Sequence, residues 1–191
     1  LSMEERMTIC NMSIEGGARC GYINPDDITF NYVKGRICSP EKDNWDKAIK
    51  WWKSLVSEKD AIYDDEVEVD ASKVEPTVTW GITPGQSIGI NQRIPKLKDL
   101  NLDDQFIAGE AYEYMGFEPG QKIINTPIDV CFIGSCTNGR ISDLRIAAKI
   151  AKNKKVSPTV KAFIVPGSEK VAKEAKDEGL DLIFKKAGFQ W

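Results

Sequence analysis

The last third of the chain sets the strongest limit on its fold. "IDVCFIG" (128–134) reads as a buried strand, and "ISDLRIAAKIAKN" (141–153) then repeats at helical spacing. "VKAFIVPG" (160–167) and "SEKVAKEAKDEG" (168–179) repeat that pair, with Ser168 at the helix cap, and "DLIFKKAGF" (181–189) reads as a third helix. Two strand–loop–helix units in succession imply a parallel sheet covered by helices, so the fold class expected is α/β. In such sheets ligands gather beyond the carboxyl ends of the strands, which here are the loops "GSCTNGR" and "PGS".

The first hundred residues are less regular. "SMEERMTICNMSIEGGARCG" reads as a helix, because Met3, Met7, Cys10, Ile14 and Ala18 recur at its period, with Gly16 and Gly17 loosening the end. Asn11 and Glu15 are four apart and would share one face of it. "INPDDITF" gives a turn and a short second helix ending near Lys34-Gly35, followed by a loop through "KGRICSPEKDN". "NWDKAIKWWKSLVSE" is an amphipathic helix with Trp45, Ile49, Trp52 and Leu55 on one stripe, a packing face rather than a ligand platform.

"DEVEVDA" alternates as a half-buried strand does, "TVTWG" is a second strand, and "GITPGQSIGINQRIPKL" is a linker or functional loop. "NLDDQFIAGEAYEYMGF" starts at a capping Asn101 and continues as a helix through Tyr114. These patterns place a domain boundary near residue 100, giving parts 1–100 and 101–191.

Composition narrows the chemistry. The 26 basic and 29 acidic side chains are interspersed at a net charge of −3, which implies neither a nucleic-acid face nor a membrane-attracting patch. No apolar stretch reaches the ~20 residues of a membrane helix and the start lacks a secretory pattern, so the expected location is cytoplasmic. Five irregularly spaced cysteines make a poor disulfide framework and fit a reducing compartment. The chain has no histidine, which excludes a Ser-His-Asp triad, a Cys-His pair and histidine-ligated zinc built from its own residues.

Cys131 falls inside a strand pattern, where a thiol behaves as a small hydrophobe. Cys136 lies past the strand end, beside Gly134 and Ser135 and just before a helix whose first amides favour a thiolate. It is either a nucleophile or metal ligand, or a neutral loop cysteine; local features leave both open. The Cys131–Cys136 spacing lacks the rest of a ferredoxin pattern, and "GITPGQSIG" lacks the lysine of a phosphate loop. By themselves Asn11 and Glu15 fit a solvated helix face better than a site.

Taken together, "MTICNMSIEGGARCGYINPDDITFNYVKGR", "VTWGITPGQSIGIN" and "FIGSCTNGRISDLRIAA" resemble the aconitase family, in particular its isopropylmalate dehydratase large-subunit branch, over nearly all the chain. The resemblance implies an aconitase-like arrangement of α/β/α layers, incomplete here. It also implies an iron–sulfur hydro-lyase of leucine biosynthesis, with a [4Fe–4S] cluster held by three cysteines, of which Cys136 matches one. Asn11 and Glu15 match the family's catalytic amide and carboxylate beside cluster and substrate, and Asn138 and Arg140 match substrate-facing or supporting positions in the cluster loop. The implied substrate is a hydroxy diacid and the implied partner a small subunit, expected to carry the catalytic base serine. Homoaconitase, citramalate dehydratase and aconitase itself are the neighbouring alternatives within the family. Outside it stands a non-catalytic α/β module that binds an anion or another protein.

The sequence also departs from the family pattern. The segment "GCxxC" that carries the other two cluster ligands is missing, as are the histidines and aspartates of the family's N-terminal part. The expectation is an internal fragment that holds no cluster and catalyses nothing by itself, because one thiolate cannot retain a [4Fe–4S] cluster.

Overall fold

The computed structural model describes residues 1–191, which form two compact units. One comprises residues 1–62 with 128–191, the other residues 63–127.

The larger unit is built on the predicted pair of strand–helix repeats. Strands β3 (Val130–Ile133) and β4 (Lys161–Ile164) pair in parallel, Val130 against Lys161 through Ile133 against Ile164. Strands β1 (Thr77–Thr79) and β2 (Ser87–Gly89) belong to the smaller unit. Helix α5 (Ile141–Ala151) follows β3, and helices α6 (Glu169–Asp177) and α7 (Leu180–Ala187) follow β4. The Ser168 hydroxyl accepts from the Val171 amide at 3.2 Å and so starts α6 where the sequence placed its cap.

Leu144, Ala148 and Ala151 of α5, Ile164 of β4, Ala175 of α6 and Phe184 of α7 close one core, with Leu144 and Phe184 fully buried. α7 ends at Gly188, whose left-handed φ of 101° turns the chain back so that Phe189 meets Phe184 edge-on at 5.6 Å. The returning backbone then adds to the free edge of β4. Gln190 donates to the Ala162 carbonyl, and the Ile164 amide donates to the carbonyl of Gln190.

Three helices complete this unit: α1 (Met3–Met12), α2 (Asp27–Val33) and α3 (Asp43–Lys53). Ser2 and Glu5 form a reciprocal cap at the start of α1, and Asp26 caps α2 through the amides of Ile28 and Thr29. α3 packs by its tryptophans as its stripe predicts: Trp52 stacks on Phe30 of α2 and takes Trp45 edge-on. α1 is shorter than expected. It stops at Met12, and Ser13–Gly17 form turns in which the Glu15 amide donates to the Met12 carbonyl. Glu15 is therefore not on a shared helix face with Asn11.

The smaller unit holds β1 (Thr77–Thr79) and β2 (Ser87–Gly89), an antiparallel pair with Val78 opposite Ile88, and α4 (Leu102–Met115), capped by Asn101. Trp80 stacks on Tyr112 with ring centroids 5.2 Å apart, and Ile88, Ile94, Ala108, Ala111 and Ile123 fill the core around them. The stretch 81–97 is thus part of a folded unit. The buried Gln86 side chain accepts from the Ile82 and Thr83 amides and shapes the turn that returns β2 to β1. Leu100 packs on this same core, so residue 100, where the sequence suggested a boundary, lies inside the smaller unit. "DEVEVDA" forms no strand: its valines are exposed, Val67 at 80% and Val69 at 68%, and no neighbouring strand meets them.

Candidate functional site

The loop Gly134–Arg140 leaves the carboxyl end of β3 and enters α5. Its course is dictated by close backbone approaches. At Gly134, φ is 142° and a Cβ would run into the backbone of Val165, so only glycine fits. At Gly139, a Cβ would lie 3.0 Å from the amide nitrogen of Gly167, whose N–H donates to the Gly139 carbonyl at 2.8 Å. The two strand-end loops therefore lie against each other, backbone on backbone.

Side chains tighten the turn. The Ser135 hydroxyl accepts from the Asn138 amide at 2.7 Å, the Arg140 Nε donates to the Thr137 carbonyl at 3.0 Å, and the Arg140 amide donates to the Asp143 carboxylate at the start of α5. Cys136 is left exposed on the loop, its Sγ 3.7 Å from the Thr137 hydroxyl.

The loop meets α1 through two side-chain hydrogen bonds. Thr137 donates to the Asn11 amide oxygen at 2.9 Å, and the Thr8 hydroxyl donates to that of Asn138 at 2.8 Å. α1 is in turn tied to α2: the buried Arg6 guanidinium makes a two-pronged pair with Asp26, both contacts at 2.7 Å, and reaches the Thr29 hydroxyl. That guanidinium holds the Asp26 carboxyl down at about 2, against the opposing effect of burial and helped by the Thr29 and Ile28 amides. The third side closes where Arg140 Nη1 approaches the Tyr32 hydroxyl of α2 at 3.5 Å. Loop, α1 and α2 thus form a triangle with a polar contact along each side.

Of the residues singled out from sequence, Asn11, Cys136, Asn138 and Arg140 come together here. Arg140 is turned into the loop carbonyl and Tyr32. Glu15 is exposed in the turn after α1 and makes no side-chain hydrogen bond or ion pair. Cys131 is half-buried on β3, as its place in the strand suggested. No group of three or more histidine, cysteine or acidic side chains is arranged around a common point. Sequence reading missed Thr8, Thr137, Arg6, Asp26 and Tyr32. Thr8 and Asn11 are three apart on α1, a spacing that puts both on one face and was the available signal.

Comparison with known proteins gives the same assignment along the whole chain. The family model described as "Aconitase family (aconitate hydratase)" matches residues 1–191. The chain is 75% identical over all 191 residues to the 3-isopropylmalate dehydratase large subunit of Prochlorococcus marinus (strain MIT 9301) and 63% identical to that of Synechocystis sp. (strain PCC 6803). It covers 41% of the length of each relative.

Proposed function

The chain belongs to the aconitase family, and from that premise we propose that it is the part of a 3-isopropylmalate dehydratase large subunit that carries one cluster ligand and the amide groups beside it. The reaction is removal of water from 2-isopropylmalate to give an alkene diacid, followed by addition of water at the neighbouring carbon to give 3-isopropylmalate. The partner is the small subunit that the relatives' name calls for, and the reaction belongs to leucine biosynthesis.

The observation that supports this reading is the meeting of two distant segments. Asn11 and Thr137, separated by 126 positions in the sequence, are hydrogen-bonded within one residue of an exposed thiol. A thiolate at Cys136 fits one ligand position of a [4Fe–4S] cluster, the soft sulfur donor such a cluster takes, with two further ligands supplied elsewhere in the complete large subunit. When bound, the cluster supplies an open iron that acts as a Lewis acid toward a hydroxyl and a carboxylate.

The chain's own side chains have separate tasks. With its oxygen accepting from Thr137, Asn11 has its NH₂ left to donate to cluster sulfur or substrate oxygen. Glu15, in the exposed turn just beyond, is the carboxylate available to take or return the proton of the departing water. Asn138 offers a second amide at the loop, and Arg140 keeps the loop carbonyl of Thr137 turned inward.

The test is a complete large subunit containing this sequence, assembled anaerobically with its small subunit and supplied with 2-isopropylmalate. Formation of the alkene diacid is followed by ultraviolet absorbance. Cys136→Ser is expected to lose both iron and turnover, whereas an iron-replete, active Cys136→Ser enzyme overturns the assignment.

A further inference from the structure

We propose that Thr8 and Thr137 are positioning residues, whose hydroxyls clip α1 onto the Cys136 loop and hold the Asn11 and Asn138 amides in place beside the thiol. The inference deepens the functional reading above and rests on it for its catalytic consequence. Its structural part concerns this chain alone.

Neither threonine closes the loop's turn or starts α1, although the Thr8 hydroxyl also lies 3.0 Å from the Glu4 carbonyl of its own helix. The loop's own turn is closed by Ser135, Arg140 and Asp143, and the start of α1 is fixed by the Ser2–Glu5 cap and by Arg6 on Asp26. What those contacts leave undetermined is the last turn of α1, from Thr8 to Asn11. Toward the loop, that turn is held by two hydrogen bonds, each with a threonine hydroxyl as donor and an asparagine amide oxygen as acceptor.

The bonds run in opposite senses, Thr8 of the helix to Asn138 of the loop and Thr137 of the loop to Asn11 of the helix. The reciprocal arrangement fixes the height of the helix on the loop as well as its rotation. Thr137 occupies the Asn11 oxygen, and Thr8, whose one proton is shared with the Glu4 carbonyl, occupies that of Asn138, which leaves the two NH₂ groups to donate elsewhere. Pre-set donors of this kind lower the cost of stabilising charge that develops during a reaction.

Replacing threonine by valine keeps the shape and removes only the hydroxyl, while serine keeps the hydroxyl. In this chain, amide hydrogen exchange across residues 134–140 is expected to accelerate about tenfold in Thr8→Val and in Thr137→Val, the effect of losing one hydrogen bond. Exchange in α6 and α7 is expected to stay unchanged, and Thr8→Ser and Thr137→Ser to match the parent. In the assembled two-subunit enzyme the same valine variants are expected to keep full iron and sulfide content and an unchanged KM, with kcat reduced about tenfold and recovered by serine.

Loop exchange at the parent rate in both valine variants overturns the clip, whatever the enzyme does. Accelerated exchange with unchanged kcat overturns the positioning role. An unaltered complex with no turnover on the diacid is a failure of the functional reading instead, and leaves the exchange result to decide the clip.

Discussion

Arg6 and Asp26 meet in a two-pronged ion pair, Nη1 to Oδ1 and Nη2 to Oδ2, with the guanidinium buried and the carboxylate half exposed. Asp26 also caps α2, so one carboxylate both starts a helix and anchors its neighbour. Asp26→Asn keeps an acceptor for the cap but leaves a buried cation without its counter-charge. Its thermal midpoint is expected to fall below the parent's, and that of Asp26→Ala, which loses the cap as well, to fall further. Thermal unfolding followed by circular dichroism checks the order.

The same pair gives a direction to the pH dependence. With its folded value down at about 2, below the ordinary carboxylate range, Asp26 binds a proton more readily in the unfolded chain. Stability from the pair is therefore fully present above about pH 4 and is lost as pH falls from there toward 2. Glu5, Asp70, Glu178 and Asp181 are lowered too and contribute in the same sense. The midpoints of the parent and Asp26→Asn are expected to differ at pH 6 and to draw together near pH 2.

Two glycines should respond oppositely to one methyl group. Gly134→Ala puts a Cβ into the Val165 backbone at a φ that alanine resists, and is expected to destabilise by about 1–3 kcal/mol. Gly109 lies inside α4 with nothing near the space a Cβ would fill. Gly109→Ala is expected to stabilise by about 0.5–1 kcal/mol. Urea unfolding of each variant reads the sign directly.

The core of the larger unit is centred on Phe184, fully buried and in contact with Phe189 and Trp191. Phe184→Ala is expected to destabilise by about 3–5 kcal/mol. Trp51, 62% exposed on α3, is expected to tolerate alanine within about 0.5 kcal/mol. Denaturant midpoints compared at constant slope separate the two.

The 191-residue chain alone is expected to retain no stoichiometric [4Fe–4S] cluster, because three ligating side chains are not gathered around any one point. Anaerobic reconstitution, desalting and iron analysis test this. One cluster per chain would show that the remaining cysteines can complete the ligand set.

The sequence was most informative where local pattern and long-range partner agree. The parallel strands and α5, α6 and α7 lie where the apolar runs and the 3.6-residue period put them, and β4 and the three helices each turn a face into one core, whereas β3, which reads as a buried strand, leaves Val130 and Phe132 exposed. It misled where a pattern lacks a partner. The alternation of "DEVEVDA" is real, yet a strand needs a neighbouring ladder and none is adjacent. The apolar period of α1 runs on to Ile14 and Ala18, but Ile14 is 67% exposed and contributes no buried surface. The Ser13 hydroxyl takes the Cys10 carbonyl at 2.7 Å, and Gly16 and Gly17 weaken any further turn. Asn11 and the Cys136 loop were legible as motifs, whereas the threonines that join them depend on contacts between segments too far apart for periodicity to register.

That separation has a consequence for how the protein is made. Thr8 precedes Asn138 by 130 positions, so at a synthesis rate of about 5–20 residues per second the first helix leaves the ribosome some ~7–26 seconds before its counterpart exists. Throughout that interval Arg6 can already meet Asp26, whereas the Asn11 amide oxygen lacks its threonine partner. The cysteine loop can take its final form only after both segments have been made and have met.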